Sequence, residues 1–187
     1  TYTNASSNQL NDAVSSAKIA QKKWEKVGIE KRANILNDIG SEVIKQSKEI
    51  GTLLSREEGK TLPEGIGEVV RSGQQFQYYA ASALRQFGEN IASTREGVSV
   101  EMTREPVGVC GIISPWNFPI AIAAWKAAPA MAFGNAVVLK PASQTPASAI
   151  ALTKIISNQK DIPEGLFNLV LGGGGTIGHQ ISGYSGI

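Results

Sequence analysis

Leu10, Ala13, Ala17, Ala20, Trp24 and Val27 recur at three- and four-residue steps, with Ser and Asn just upstream as caps. That spacing predicts an amphipathic helix. A second helical stretch over about 30–58 carries Ile35, Ile39, Val43, Ile50 and Leu54, with a break expected near Gly40 or Ser47. A third stripe, Val69, Gly73, Phe76, Ala80, Ala83 and Phe87, predicts a helix starting after Pro63 and stopped by Gly88. Near residue 91 the period changes. Val98, Val100 and Met102 alternate with Ser99, Glu101 and Thr103, the period-two pattern of a half-exposed strand in a hairpin turning through Glu96 and Gly97.

After Pro106 the pattern becomes strand, helix, strand, helix, strand, helix. The strands read VGVCGII (107–113), AVVLK (136–140) and LFNLVL (166–171), continuously apolar as strands covered on both faces must be. Between them lie apolar helices near 119–133, with Pro119 in the first turn, and near 145–158; a short third helix begins around Thr176. Strands joined by helices imply a right-handed parallel sheet, and three such strands make half of a dinucleotide-binding fold. The expected class is therefore α/β, a partial Rossmann-like parallel sheet (107–187) preceded by a helical segment (1–90) and a β-hairpin (88–106).

Composition adds exclusions. Apolar residues make up 42% and charged residues 18%, and the net charge is +2 with both signs mixed along the chain. That balance gives no reason to expect nucleic acid or a membrane surface as a partner. No apolar run reaches the roughly 20 residues that span a bilayer. Cys110, the one cysteine, has no partner for an intramolecular disulfide, which points to a reducing, cytoplasmic setting. The start, TYTNASSNQL, lacks both an initiating Met and a signal-peptide layout, so a partial chain is expected.

In an open α/β sheet, ligands bind outside the carboxyl ends of the strands. Each strand end here carries an unusual loop: Ser114-Pro115-Trp116-Asn117-Phe118-Pro119, then Lys140-Pro141-Ala142-Ser143, then Gly172 to Gly175 followed by Gly178. The glycines let a phosphate or ribose approach closely, though a flexible turn explains them as well, and no GxGxxG follows the first strand. Lys140 ends a buried strand where an ammonium reaches a ribose hydroxyl or phosphate; its alternative is a lysine in water. The Asn117 amide can donate to a developing oxyanion or make a local turn bond. Cys110 lies mid-strand and reads as a buried structural thiol rather than a nucleophile. His179 has no metal-binding neighbours in sequence and reads as a surface or ligand-adjacent residue. On the apolar helix, Trp125 reads as core and Lys126 as reaching outward.

REPVGVCGIISPWNFP (104–119), AWKAAPAMAFGNAVVLKPASQTP (124–146) and PEGLFNLVLGGGGTIG (163–178) resemble consecutive blocks of the aldehyde dehydrogenase superfamily. EEGKTLPEGIGEV (57–69) is similar to its first helical region. The resemblance implies that Asn117 is the side-chain half of an oxyanion hole. Ile113, Ser114 and Trp116 would line the nicotinamide-ribose and pyrophosphate path. Lys140 would bind the adenosine ribose, Ser143 would read its 2′ substituent, and Gly174, Gly175 and Gly178 would lie against the adenosine half. Lys126 corresponds to a structural or proton-relay lysine, and 88–106 to part of an oligomerisation hairpin of a homodimer or homotetramer.

The implied cofactors are NADP and NAD, and the implied substrate is a small aldehyde. The wording of EEGKTLPEGIGEV and KPASQTP is closest to members acting on 2-oxoglutarate semialdehyde and related semialdehydes. The implied mechanism runs by thiolate attack, hydride transfer and thioester hydrolysis. Its cysteine nucleophile, its general-base glutamate and the catalytic domain have no counterpart among these residues, so the 187 residues alone are expected to be inactive. Two alternatives stay open: an acyl-phosphate or acyl-CoA reductase of the same superfamily, and a non-enzymatic truncated relative.

Overall fold

The computed structural model describes residues 2–85 and 88–187; Phe87, placed last on the third helical stripe, lies outside them. Helix α1 (Ser7–Trp24) opens with a capping box, the Ser6 hydroxyl accepting from the Gln9 N–H and the Gln9 side chain accepting from the Ser6 N–H. It buries Leu10, Ala17, Ala20 and Trp24, as the spacing predicts, together with Val14 and Gln21, while Ala13 and Val27 are half-buried. The next stretch divides into α2 (Ile29–Lys45) and α3 (Ser47–Glu58), so the break falls at Ser47 and not at Gly40. Gly40 serves a different purpose. A Cβ there would stand 2.6 Å from the Gly73 carbonyl oxygen, and one at Gly73 would stand 2.5 Å from that of Gly40. The paired glycines let α2 and α4 (Leu62–Ala83) touch backbone to backbone.

Helix α4 starts at Leu62, with Pro63 in its first turn and Thr61 and Glu64 forming a capping box. It ends at Ala83, not at Gly88. Leu84, the next apolar residue described, is 59% exposed. Strands β1 (Glu89–Ala92) and β2 (Ser99–Met102) pair antiparallel, with Glu89 opposite Met102, and Gly97 takes a left-handed φ of +74° in the turn. The expected half-burial is not met. Val98, Val100 and Met102 are all exposed, as is every residue of β1 and β2.

The parallel sheet has the order β3 (Val109–Ile113), β4 (Ala136–Lys140), β5 (Phe167–Leu169). Strand β3 begins two residues later than its apolar run because Gly108 has φ +115°, outside any strand conformation. Strand β5 is shorter than its apolar run at both ends, and beyond it Leu171 accepts the Ala5 N–H at 2.7 Å, tying the start of the chain to the strand end. All five residues of β4 are buried, between α1 and the crossover helix α5 (Ala121–Ala132). Strand β3 is covered less completely, with Gly111 and Ile113 exposed. The second crossover is α6 (Pro146–Ser157), and α2, α3 and α4 form an outer layer packed on α5 and α6. Beyond β5, a π-turn (Gly174–Gly178) leads into α7 (His179–Ser182). No described helix is long and apolar enough to cross a membrane.

Candidate functional site

Register levels the strand ends. Ile113 lies opposite Lys140 and Leu139 opposite Leu169, while Val170 donates its N–H to the Leu139 carbonyl at 2.9 Å. The three loops therefore leave the sheet along one edge, as the order of the elements predicts. Lys140 is 3% exposed and is not the solvated lysine of the alternative reading. Its ammonium donates to the carbonyls of Pro141 and Gly172, the latter at 3.2 Å. An ammonium has three N–H donors, so these bonds leave one for a further acceptor. Burial pushes the Lys140 pKa below the ordinary lysine value.

Ser143 joins the same carbonyl, its hydroxyl donating to Gly172 O at 3.2 Å. Gly178 closes the cluster from the other side: a Cβ there would lie 3.5 Å from Cδ of Lys140. Gly174 and Gly175 face open space. Lys140 and Ser143 thus meet on the Gly172 carbonyl, Gly178 lies against the Lys140 side chain, and Gly174 and Gly175 face open space beside them.

In the first loop, the Ser114 N–H donates to the Lys140 carbonyl at 3.1 Å, which joins two of the strand ends directly. The Ser114 hydroxyl is buried without a hydrogen-bond partner. Trp116, Asn117 and Phe118 are exposed. Asn117 and Phe118 form one wall of a cleft of about 470 Å³, and Glu58, Lys60, Glu68 and Arg71 face them from the α3–α4 corner. Lys60 Nζ donates to the Asn117 carbonyl at 3.1 Å and stands 4.4 Å from the Phe118 ring centroid.

Two of the helices that follow strand ends have their N-termini filled from the outer layer. The Glu68 carboxylate accepts the N–H groups of Ile120 and Ala121, both at 3.1 Å, at the start of α5. Glu57 accepts those of Ala147 and Ser148 at the start of α6. Both carboxylates use amides and dipole ends that an anionic ligand would otherwise take. The glycine turn after β5 holds no such carboxylate, and there the backbone stays open.

Of the other candidates, Cys110 is partly buried inside β3, and burial raises its thiol pKa, the opposite of what a nucleophile needs. His179 is exposed at the start of α7, and no cluster of three or more metal-ligating side chains occurs among the described residues. Trp125 is not core. It is 59% exposed, because α5 turns its alanines, 123, 124, 127 and 128, into the interior instead. Lys126 reaches outward and donates to the Ile113 carbonyl at 3.3 Å. A larger groove of about 860 Å³ between α3 and α6 contains none of the strand-end loops and is not assigned.

Lys60, Glu57 and Glu68 went unnoticed in the sequence. Glu68 carried a signal nonetheless. It lies next to Val69 and one turn from Gly65 and Ser72 on the buried stripe of α4, and a charge on an apolar stripe requires a partner.

All 187 residues match the model of the aldehyde dehydrogenase family. The chain belongs to the aldehyde dehydrogenase family. An alpha-ketoglutaric semialdehyde dehydrogenase of Bacillus subtilis is 38% identical over 186 residues, which is 98% of this chain and 38% of that protein. Among solved structures, an NADP-dependent glyceraldehyde-3-phosphate dehydrogenase from Bacillus halodurans complexed with NADP superposes with a TM-score of 0.91 at 35% identity, over 97% of this chain and 39% of that one. A betaine aldehyde dehydrogenase from Staphylococcus aureus in complex with NAD+ gives 0.93 at 30% identity, over 97% and 37%. The chain thus spans a little over a third of the length of each of these aldehyde dehydrogenases. The place of Cys110 inside β3 and its raised thiol pKa count against a nucleophile there. Cys110→Ala is expected to leave the turnover of the protein carrying this sequence within about twofold of the parent in a steady-state assay, because a neutral, half-covered thiol contributes packing alone.

Proposed function

We propose that the protein carrying this sequence oxidises a small acidic semialdehyde to a carboxylate with NADP or NAD, and that these residues supply part of the dinucleotide cradle and one oxyanion donor. The observation that carries this reading is the meeting of the three loops, 114–119, 140–143 and 172–178, along one sheet edge. The residues suit a dinucleotide in two respects. Ser114 Oγ is a buried hydroxyl with no protein partner, which a bound polar group at this strand end would complete. Gly174 and Gly175 leave space in which even a Cβ would meet nothing.

In this reading Lys140 offers its remaining N–H to the adenosine ribose, with Ser143 beside it. Gly174, Gly175 and Gly178 pass along the adenosine half, while Ile113, Ser114 and Trp116 line the way to the nicotinamide. Bound NADP or NAD supplies the hydride acceptor. The Asn117 amide, which makes no hydrogen bond with the described residues, donates to the oxygen of the aldehyde as negative charge builds there. The exposed hairpin of β1 and β2 suits a homo-oligomer, in which a second copy would cover its apolar Val98, Val100 and Met102.

The substrate class rests on the cleft beside Asn117, onto which Arg71 opens, and on the name of the Bacillus subtilis relative. A guanidinium there can take the distal carboxylate of a semialdehyde through two N–H donors. The test is reduction of NADP and NAD followed by absorbance with 2-oxoglutarate semialdehyde and an uncharged aldehyde of similar length. Turnover with the semialdehyde is expected, and Arg71→Ala is expected to raise its KM about tenfold while leaving that of the uncharged aldehyde unchanged. Absence of reduction with any aldehyde would overturn the oxidoreductase reading; equal effects of Arg71→Ala on both substrates would overturn the acidic-substrate reading.

A further inference from the structure

Residues 114–119 run between β3 and α5 with Trp116, Asn117 and Phe118 all exposed; the Ser114 N–H on the Lys140 carbonyl and the Ile122 N–H on the Phe118 carbonyl hold the ends of the loop. Further support comes from the opposite wall of the cleft. Glu68, its side chain 1% exposed, receives Ile120 and Ala121 on one carboxylate oxygen and Lys60 on the other. Lys60, whose side chain is 11% exposed, carries the connection on to the Asn117 carbonyl and the Phe118 ring, and Glu58 stands 3.2 Å from its ammonium. Burial alone would pull the Lys60 pKa down, but Glu68 and Glu58 outweigh it and hold it above the ordinary lysine value. The ammonium is therefore a fixed positive charge.

We infer that Lys60 and Glu68 are positioning residues for Asn117: they fix the backbone from which the amide donates, and Lys60 cancels carboxylate charge beside the point where an oxyanion forms. This rests on the reading of Asn117 as the oxyanion donor. Two physical points support the inference. A donor misplaced by about 1 Å can cost on the order of 10²-fold in rate, and Lys60 and Glu68 grip the loop at residues 117, 118, 120 and 121, on both sides of Pro119. Glu58 and Glu68 also bring two negative charges to the wall of the cleft, and without Lys60 they would oppose any negative charge developing across it.

The experiment is a double-mutant cycle in the full-length protein, reading kcat, aldehyde KM and cofactor Kd for Lys60→Met, Lys60→Arg, Glu68→Gln and Asn117→Ala, and for Lys60→Met combined with Asn117→Ala. Glu68→Gln is the mild variant, since its amide oxygen can still accept from Ile120 and Ala121 while the ion pair is lost. Lys60→Met and Glu68→Gln are each expected to lower kcat about tenfold, with KM and cofactor Kd moving less than about threefold, and Lys60→Arg to restore most of the loss. In the Asn117→Ala background, the loss from Lys60→Met should be clearly smaller than in the parent, because only the uncompensated charge of Glu58 and Glu68 is left to act. If Asn117→Ala is strongly impaired and Lys60→Met still removes its full factor on top, Lys60 acts on stability or elsewhere and the positioning role is overturned. If Asn117→Ala turns over normally, the oxyanion reading itself fails, and the positioning role falls with it.

Discussion

Asn117→Ala, in the protein carrying this sequence, is expected to lower kcat by about 10²-fold or more while the aldehyde KM changes little. The amide lines the cleft of the proposed aldehyde site and has no hydrogen-bond partner among the described residues, so its removal leaves no buried group of the resting protein unsatisfied. Its contribution appears as negative charge gathers on the reacting oxygen, which places the loss in turnover rather than in substrate binding. A single oxyanion donor removed from a comparable site costs about 3–4 kcal/mol. The measurement is steady-state kinetics, with a thermal melt to show that the variant folds. Near-normal kcat would reduce Asn117 to a turn residue between two prolines.

The second large effect concerns the choice between cofactors. Ser143→Glu is expected to lower the ratio of kcat/KM for NADP to that for NAD by about 10²-fold. A carboxylate about 4 Å from a 2′-phosphate meets a repulsion of roughly 4 kcal/mol per unit charge at an effective dielectric of 20, reduced in practice by solvent. It would also pair with Lys140, since both residues now reach the same Gly172 carbonyl, and so would take the nearest positive charge away from the phosphate. The structure alters one part of this argument. The Ser143 hydroxyl donates to Gly172, so acceptance of NADP in the proposed reading would come from the missing carboxylate and from Lys140, not from a hydroxyl held out to the ligand.

The same preference should depend on pH. Burial lowers the Lys140 pKa, so its ammonium loses its proton at a lower pH than an ordinary lysine does. Any advantage that the Lys140 charge gives NADP over NAD is thus present while Lys140 is charged and declines as pH rises through that lowered value. Kinetics with both cofactors across alkaline pH, in the parent and in Ser143→Glu, is the test. A parent that rejects NADP, or a variant whose ratio is unchanged, would remove Ser143 from the argument.

The strands and crossover helices were legible because their signals are local. A continuous apolar run bounded by glycine and proline marks a buried strand whatever lies around it, and β4 met that expectation in full. The convergence of the three loops followed from topology alone. Other features depended on partners distant in sequence. Gly40 reads as a helix break until Gly73 is seen lying against it. Trp125 reads as core until α5 is seen to present its alanines inward. Val98, Val100 and Met102 read as half-buried, yet the face they would bury against is not formed by the described residues. Glu57 and Glu68 act across 90 and 52 residues, where no periodicity could join them to their helices.

Those two carboxylates also bear on the order in which the molecule can be assembled. Chain synthesis delivers the outer helical layer first, so Glu57 and Glu68 emerge before the α5 and α6 amides they receive. The crossover helices therefore emerge onto a surface that already holds their caps, and neither needs a cap residue of its own; no side-chain cap bond is made by the residue preceding either helix. The reverse order would leave two largely apolar helices with open N–H groups and an uncovered sheet, a combination that favours association with other chains. Vectorial synthesis thus matches the direction in which the caps point.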